Sequence, residues 1–453
     1  MFLGRKNELE KLNRRYKGTR KEFGVIYGRR RIGKTELVKE FFKDKDGLFF
    51  QARRDTAYGN FRSFSYELDK LLGLPVSFIF PNWESAFDSL TEHFENRRFV
   101  LVVDEYPYIV SQNGSFSSLM QAFYDHAGDN LFLILPGSDV SFLKNEIQDH
   151  ASPLCKRRTF EMELTRLGFD EAVSFFDGLD AETKCDFLSL TSSYPFYLFA
   201  IDKNKTFKEN IRSLFFHQFG PFFDLPDQIL SNSTNVQDVY NGILSSFAHR
   251  HYRVADIASD LPEDPAKVSK YLATLVHGEI IEKRQTFMGN QKSHYYVIAD
   301  PMLRFCYIFI YEDQERIKGN GEAVFREKEE AIHDFVCRAF ADTSTLYVEK
   351  LNREGILSKV YPRLQNFKVD QTKLGRSVEL DGLAESGDSL LVMECKYRNI
   401  PFTNAMMEHL KESASIFSKK RAREYCIFSK SGFSKDFLRQ ENVRCFDLND
   451  MFR

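Results

Sequence analysis

Eight consecutive residues, Gly28-Arg29-Arg30-Arg31-Ile32-Gly33-Lys34-Thr35, carry the spacing GxxxxGK[ST]. Glycines in such a run let backbone N–H groups approach a phosphate chain. A lysine there reaches the outer phosphates, a threonine hydroxyl can ligate Mg²⁺, and a helix starting beside it adds partial positive charge. Arg29, Arg30, Arg31, Ile32 and Glu36 complete the set expected to line a bound ATP. Further on, the apolar run Phe99–Val103 ends in Asp104-Glu105. Asp104 is expected to hold Mg²⁺ through water and Glu105 to polarise the attacking water. Another apolar run, Leu131–Leu135, leads to Gly137-Ser138, and Ser138 could sense the γ-phosphate from the neighbouring strand, although a plain turn is the simpler reading of that residue alone.

A second constellation lies near the C-terminus, spaced as Asp381-x12-Glu394-x-Lys396. Alternation by two puts Glu394 and Lys396 on one face of a strand and Cys395 on the other. Asp381, ending the preceding hairpin strand, can approach the same spot. Two carboxylates that bind Mg²⁺, with a lysine to orient or deprotonate water, are what metal-dependent phosphodiester cleavage needs. A salt-bridged strand edge with no chemistry is the competing reading. Other polar residues offer less. His249 and His251 flank Arg250 with no further ligand at metal-binding spacing, and the seven cysteines contain no Cys-x-x-Cys pair.

These residues need elements to hold them. Between Glu8 and about Leu135, β-rich runs at 23–27, 47–51, 99–103 and 131–135 alternate with helical patterns, which predicts a parallel α/β sheet. The loop at 28–35 falls between strand and helix, in the required order. From Gly168 to about Phe219 the pattern is helical and rich in phenylalanine. Breakers follow at Gly220-Pro221, Leu225-Pro226, the polar stretch 231–235 and the segment 318–321. Residues 236–300 read as three helices and a hairpin. In the third helix Val268, Tyr271, Leu272, Leu275 and Val276 form one apolar stripe, while Lys267, Ser269 and Lys270 occupy the exposed face. Strands at 279–284 and 294–298 flank an expected wing at 288–292. A helix over 322–341, the carboxylate-bearing hairpin, a helix over about 403–417 and strands at 425–428 and 443–446 finish the chain.

Length and composition fit several domains. The chain has 453 residues, 43% of them hydrophobic and 28% charged, with 63 Lys+Arg against 65 Asp+Glu. That is folded-protein composition, neither disordered nor fibrous. Near-neutral charge removes a global electrostatic case for nucleic acid, so such binding must rest on local patches. No apolar run approaches the roughly 20 residues of a membrane span, and charges occupy the N-terminal stretch where a signal peptide is apolar. With no disulfide framework either, a cytoplasmic address is expected.

The N-terminal half resembles the archaeal-type ATPases of the AAA+/STAND group of P-loop NTPases. The resemblance rests on Phe2-Leu3-Gly4-Arg5, the GRRRIGKT loop, LVVDEYPYI at 101–109, LPGSDVSFL at 135–143, Pro153-Leu154 with Arg157, and Tyr194-Pro195-Phe196-Tyr197-Leu198. It implies that Arg5 lies near the adenine, that Ser138 is a sensor, that Arg157 reaches a phosphate as an arginine finger, and that Pro195 contacts the base from a helical lid. Cys155-Lys156 and Ser192-Ser193 depart from the Tyr-Gly and Gly-Gly of that pattern. Asp300-Pro301-Met302-Leu303-Arg304-Phe305 resembles the segment closing the family's winged-helix module, with Cys306 in place of tryptophan. The C-terminal region resembles PD-(D/E)XK, restriction-endonuclease-like domains. Their leading-helix glutamate would align to Ala341, with Glu327 or Glu330 as candidate substitutes.

The expected fold is therefore α/β: a P-loop NTPase parallel sheet with a helical lid, a winged-helix domain and a C-terminal restriction-endonuclease-like α/β domain. The expected boundaries are 1–165, 166–235, 236–317 and 318–453. The leading reading is a Mg-dependent ATPase whose winged helix and nuclease-like domain act on nucleic acid, DNA ahead of RNA, with no membrane partner. Its rival is an ATP-driven switch that self-assembles and whose C-terminal domain only binds a partner or nucleic acid. A helicase or loader lacks a helicase motif after the sensor strand.

Overall fold

The four apolar runs become β1 (Glu22–Tyr27), β2 (Gly47–Gln51), β3 (Phe99–Asp104) and β4 (Leu131–Gly137), and the first sheet gains a fifth strand that the sequence reading did not contain, the half-acidic β5 (Phe160–Glu163). All pairs are parallel and the spatial order is β2-β3-β4-β1-β5. Every residue of β3 and β4 is buried, which is why those strands read as continuous apolar runs rather than alternating ones. Local chemistry starts the covering helices. Thr56 accepts the N–H of Gly59 at the start of Ala57–Leu72, and Asn82 that of Ser85 at the start of Trp83–His93. Much of the core is aromatic, with Phe64–Trp83 at 4.9 Å, Trp83–Phe116 at 4.7 Å and Phe87–Phe123 at 4.6 Å between ring centroids.

The computed structural model describes residues 2–73, 78–230, 236–285, 294–362, 364–369, 377–417 and 422–453. The polar breaker at 231–235 and the expected wing at 288–292 lie outside them. The chain divides into two compact units, Met1–Leu167 and Gly168–Arg453.

In the second unit, helices Gln237–Ala248, Val254–Asp260 and Pro265–His277 precede an antiparallel hairpin of β6 (Ile281–Gln285) and β7 (His294–Ile298). Val268, Leu272 and Leu275 are buried, with Tyr271 and Val276 packed against them. Asp300 then caps helix Pro301–Phe309 by accepting the N–H groups of Met302 and Leu303, and its other oxygen accepts the buried Tyr197 hydroxyl at 2.6 Å. Cys306, at the place where the family resemblance has tryptophan, is fully buried with its thiol on the Phe222 carbonyl.

The expected linker at 318–321 is instead a kink inside helix Gln314–Arg353, where Asn320 alone leaves helical geometry. The Asn320 side chain accepts the N–H of Ala323 and restarts the helix. Gly321 is required by close approach, since a Cβ there would stand 1.9 Å from the Phe216 carbonyl oxygen. The second sheet has the order β12-β11-β10-β9-β8, from β8 (Gln365–Val369), β9 (Val378–Ser386), β10 (Ser389–Lys396), β11 (Ala422–Ser429) and β12 (Val443–Asp447). Strands β8, β9 and β10 pair antiparallel, while β10, β11 and β12 pair parallel. Strand β8 has no counterpart in the sequence reading.

Helix Ala181–Thr191 packs against helix 314–353 and reaches the second sheet. Its Asp186 accepts the Tyr397 hydroxyl at 2.5 Å. After it, Ser192 and Ser193 take left-handed conformations, φ 46° and 62°, at the place where the family resemblance has two glycines. Both are buried, and the Ser193 hydroxyl has no hydrogen-bond partner among the described residues.

Two stability outcomes follow from this unit. A left-handed non-glycine residue costs roughly 1–2 kcal/mol, against about 0.5–1 kcal/mol of extra unfolded-chain entropy for glycine. Ser193→Gly, which also deletes an unpaired buried hydroxyl, should therefore raise the melting temperature by a few degrees. The second concerns Asp186, which faces Tyr397, Glu182, Lys430, His333, Cys185 and Cys337. Burial pushes its carboxyl up to about 6, with Glu182 adding to the rise and the Tyr397 hydrogen bond opposing it. The folded state thus holds this proton more tightly than the unfolded chain, so the stabilisation is full below the unfolded value and is lost as pH rises through the folded one. Asp186→Asn should raise the melting temperature at neutral pH and leave it unchanged near pH 4.

Candidate functional site

In the first unit, the carboxyl edge of the parallel sheet gathers the expected phosphate-binding residues. The register sets Tyr27 beside Gly137 and Gln51 beside Asp104, so β1, β4 and β3 present loop, serine and acids along one edge. Gly28 leaves β1 with φ 153°, and a Cβ there would lie 2.3 Å from the Leu164 carbonyl oxygen. Arg31 turns left-handed, and Gly33 caps helix Lys34–Phe42. The Lys34 ammonium is buried at the loop, bonded to the carbonyls of Gly28 at 2.6 Å and Arg29 at 2.9 Å. Arg5 is buried too. It pairs with Glu8 at 3.1 Å and donates to the carbonyls of Ile32 and Thr165, stitching the N-terminal box to the loop.

Thr35 donates its hydroxyl to Asp104 at 2.8 Å. Asp104 is fully buried, and burial raises its pKa, partly opposed by that hydrogen bond. A hydroxyl and a carboxylate in contact form a hard-oxygen pair, which fits a Mg²⁺ ion. Glu105 adopts φ 53°, and its side chain accepts both the N–H and the hydroxyl of Ser138, at 3.2 and 2.9 Å. Ser138 thus meets the residue expected to polarise water. Arg30 donates to the Tyr108 hydroxyl at 3.3 Å, and the Arg54 guanidinium lies 5.2 Å from that ring. Glu36 is exposed and pairs with Lys39.

Arg157, expected to reach a phosphate as an arginine finger, grips Asp125 with two N–H groups at 2.8 Å and donates to the Pro153 carbonyl. Its chain enters β5 beside the amino end of β1, with Thr159 bonded to Phe23, whereas the phosphate loop leaves the carboxyl end. At about 3.3 Å per strand residue, the length of β1 stands between Arg157 and its own loop. Pro195 opens the short helix Pro195–Leu198, buried, in the second unit.

The C-terminal triad does converge. Asp381 lies inside β9 rather than at its end, where the register against β8 shifts between Gln365 and Phe367. This bulge re-aims the side chain. Asp381 accepts the N–H of Cys395 at 2.7 Å, directly between Glu394 and Lys396, which form an ion pair with each other. Burial raises the pKa of both carboxyls. The charge of Glu394 adds to the rise at Asp381, while Lys396 opposes it at Glu394. Two half-buried carboxylates crowded beside one lysine leave negative charge under-compensated, and their all-oxygen donor set fits a hard divalent cation.

The two faces of β10 differ. Leu390 and Val392, in step with Glu394, pack with Met407 and Leu410 of helix Asn404–Ala414. Cys395 faces Ser344, and beside it Phe428 meets Tyr347, so helix 314–353 covers the opposite face. No substitute for a glutamate at Ala341 comes from Glu327, which is held by Arg316. At 1.5 Å per residue it sits about 20 Å along the helix from Ala341, and Glu330 is also well over 10 Å away.

Residues 2–190 match a family model described as an ATPase domain predominantly from Archaea. The chain carries an archaeal-type ATPase domain. An uncharacterized protein of Methanocaldococcus jannaschii is 23% identical over 469 residues, 99% of this chain and 100% of that one. An uncharacterized ATP-binding protein of the same organism is 47% identical over 45 residues, 10% of this chain and 76% of its own. Among solved structures, the ORC2 protein of Aeropyrum pernix in its ADPNP and ADP complexes has 13% identity and a TM-score of 0.44, covering 73% of this chain and 97% of its own. Among the described residues, no helix is long and apolar enough to cross a membrane.

Within the ATPase domain, one residue beyond the sequence reading stands out. Tyr106 is buried, and its hydroxyl meets Ser117 at 2.7 Å and Glu146 at 3.1 Å, tying the segment after Glu105 to the helix after Ser138. Its place in the motif was visible, but its partners lie 11 and 40 residues away. In the second unit, Tyr397 and Asp186 were missed for the same reason.

Removing the charge of Glu105 should spare binding and stop turnover. Glu105→Gln should keep its affinity for a fluorescent ATP analogue while phosphate release falls by about 10²-fold or more. Lys34→Ala should lose the affinity itself.

Proposed function

We propose that this protein is a Mg-dependent ATPase of the AAA+/STAND kind, and that its C-terminal domain cleaves phosphodiester bonds in DNA. The division proposed is an ATPase core to residue 165, a lid over 166–235, a winged helix over 236–317 and a nuclease-like domain from 318. At the ATP site, Lys34 and the loop amides hold the phosphates, and Arg5 braces the loop near the adenine. Thr35 and Asp104 hold the Mg²⁺, while Glu105 orients water once Ser138 releases or shares it. Lys267, Ser269 and Lys270, all exposed on helix 265–277, are the residues offered to a DNA groove.

The observation that carries the nuclease reading is the bulged strand that brings Asp381 onto the amide between Glu394 and Lys396. A divalent cation bound there supplies positive charge for the phosphate under attack. Asp381 and Glu394 hold it, and Lys396, paired with Glu394, is placed to orient a water. The DNA assignment extends this reading through the winged helix. The missing leading-helix glutamate supports the rival reading, a nucleotide-driven switch whose C-terminal domain binds without cutting.

Incubation with plasmid or single-stranded DNA, ATP and Mg²⁺ or Mn²⁺ separates the two. Cleavage by the wild type, lost in Lys396→Ala and retained in a variant altered at the exposed Glu408 of helix 404–414, supports the nuclease. Absence of cleavage under every metal and nucleotide condition, with ATP turnover intact, leaves the switch.

A further inference from the structure

Lys396 is the last residue of β10, and a strand end that carries a working side chain needs something to hold it. Alternation sends Lys396 toward Glu394 and the next residue, Tyr397, toward the opposite face. There Tyr397 is 7% exposed, packed on Phe340 at 5.0 Å, with the Lys430 ammonium 4.8 Å from its ring centroid. Its hydroxyl donates to Asp186 at 2.5 Å. A second tie runs through the neighbouring strand. The N–H of Lys430 donates to the carbonyl of Lys396 at 2.9 Å, and the Lys430 ammonium bonds Glu182 at 2.6 Å. Both Asp186 and Glu182 belong to helix Ala181–Thr191, which falls almost wholly inside residues 2–190 of the ATPase family match. Ser189 and Thr343, 3.0 Å apart, continue the same polar seam.

We propose that Tyr397 is a positioning residue for Lys396, and that helix 181–191 of the ATPase match sets the geometry of the C-terminal site through the Tyr397–Asp186 bond, with Lys430–Glu182 as the second tie. Its catalytic consequence rests on the nuclease reading above. Its mechanical content does not. The lysine and the helix are joined by one residue on each side of the strand end, so displacement of the helix displaces Lys396 relative to the carboxylates. A misplacement near 1 Å at reacting groups lowers a rate by up to about a hundredfold.

The test uses the full chain and three variants. Tyr397→Phe deletes the hydroxyl and keeps the packed ring, Asp186→Ala deletes the acceptor, and Asp186→Asn keeps an oxygen that still accepts the bond. In DNA cleavage, Tyr397→Phe and Asp186→Ala should lower kcat about tenfold to a hundredfold with KM and ATP turnover unchanged, and Asp186→Asn should stay near wild type. Equal rates for Tyr397→Phe and wild type, or equal damage from Asp186→Asn and Asp186→Ala, overturn the proposal while leaving the nuclease reading intact. If the wild type cuts nothing, the nuclease reading falls and amide exchange decides the positioning. Exchange across 394–397 and 428–430 should rise roughly tenfold in Tyr397→Phe and not in Asp186→Asn. Unchanged exchange in Tyr397→Phe overturns the proposal on its own.

Discussion

A carboxylate withdrawn from water must be met by donors or by a cation, and the architecture of this protein is organised around that requirement. Asp104 meets it with the Thr35 hydroxyl and the Glu105 amide. Glu105 in turn takes the amide and hydroxyl of Ser138. Asp381 meets it with one backbone amide, Glu394 with one lysine, and Asp186 with one tyrosine. Burial raises the pKa of Asp104, Asp186, Asp381 and Glu394 alike, and what sets Asp381 and Glu394 apart is that they crowd one lysine, an all-oxygen pair that a cation would complete.

How much of this was legible depends on how local the information was. The phosphate loop is contiguous, its glycines answer steric demands within a few residues, and its strand and helix neighbours announce themselves by periodicity. Asp104 and Glu105 were legible because a fully buried strand reads as an unbroken apolar run. Glu394 and Lys396 followed from alternation alone. What failed was what tertiary contact decides. The Lys318–Gly321 segment has the composition of a linker, yet the Asn320 side chain caps a restarted helix and Gly321 slips past the Phe216 carbonyl. Arg157 sits in a motif that suggested a phosphate contact, and only the parallel pairing of β5 with β1 shows that it enters at the end of the sheet opposite its own phosphate loop. The bulge at Asp381 likewise has no sequence signature short of knowing what β8 pairs with.

The abundance of phenylalanine, 45 residues against a single tryptophan, has a corresponding physical reading. Rings with two rotatable angles give large buried area at small entropic cost, and edge-on pairing fixes their geometry. In the second unit Phe305 meets Phe215 at 4.5 Å and Phe335 at 5.5 Å, so one ring links helices Phe207–Phe215, Pro301–Phe309 and Gln314–Arg353. Hydrogen bonds then add specificity to that apolar joint. Tyr197 from the segment Tyr194–Leu198 reaches Asp300 at the cap of helix 301–309, joining two motifs that the sequence presents over a hundred residues apart.

The same logic changes what a domain boundary means here. A helix that the family model counts with the ATPase shares a polar seam with the sheet that carries Glu394 and Lys396, and both lie in one compact unit. Polar groups at a buried seam must be satisfied by particular partners, so they tolerate sliding far less than an apolar contact does. Asp186 with Tyr397, Glu182 with Lys430 and Ser189 with Thr343 therefore fix one relative placement of helix and strand. A C-terminal domain tethered by a linker could be exchanged without consequence for helix 181–191. One whose strand end is bonded to the helix could not, and its site geometry becomes a property of the whole unit rather than of the residues that form the site.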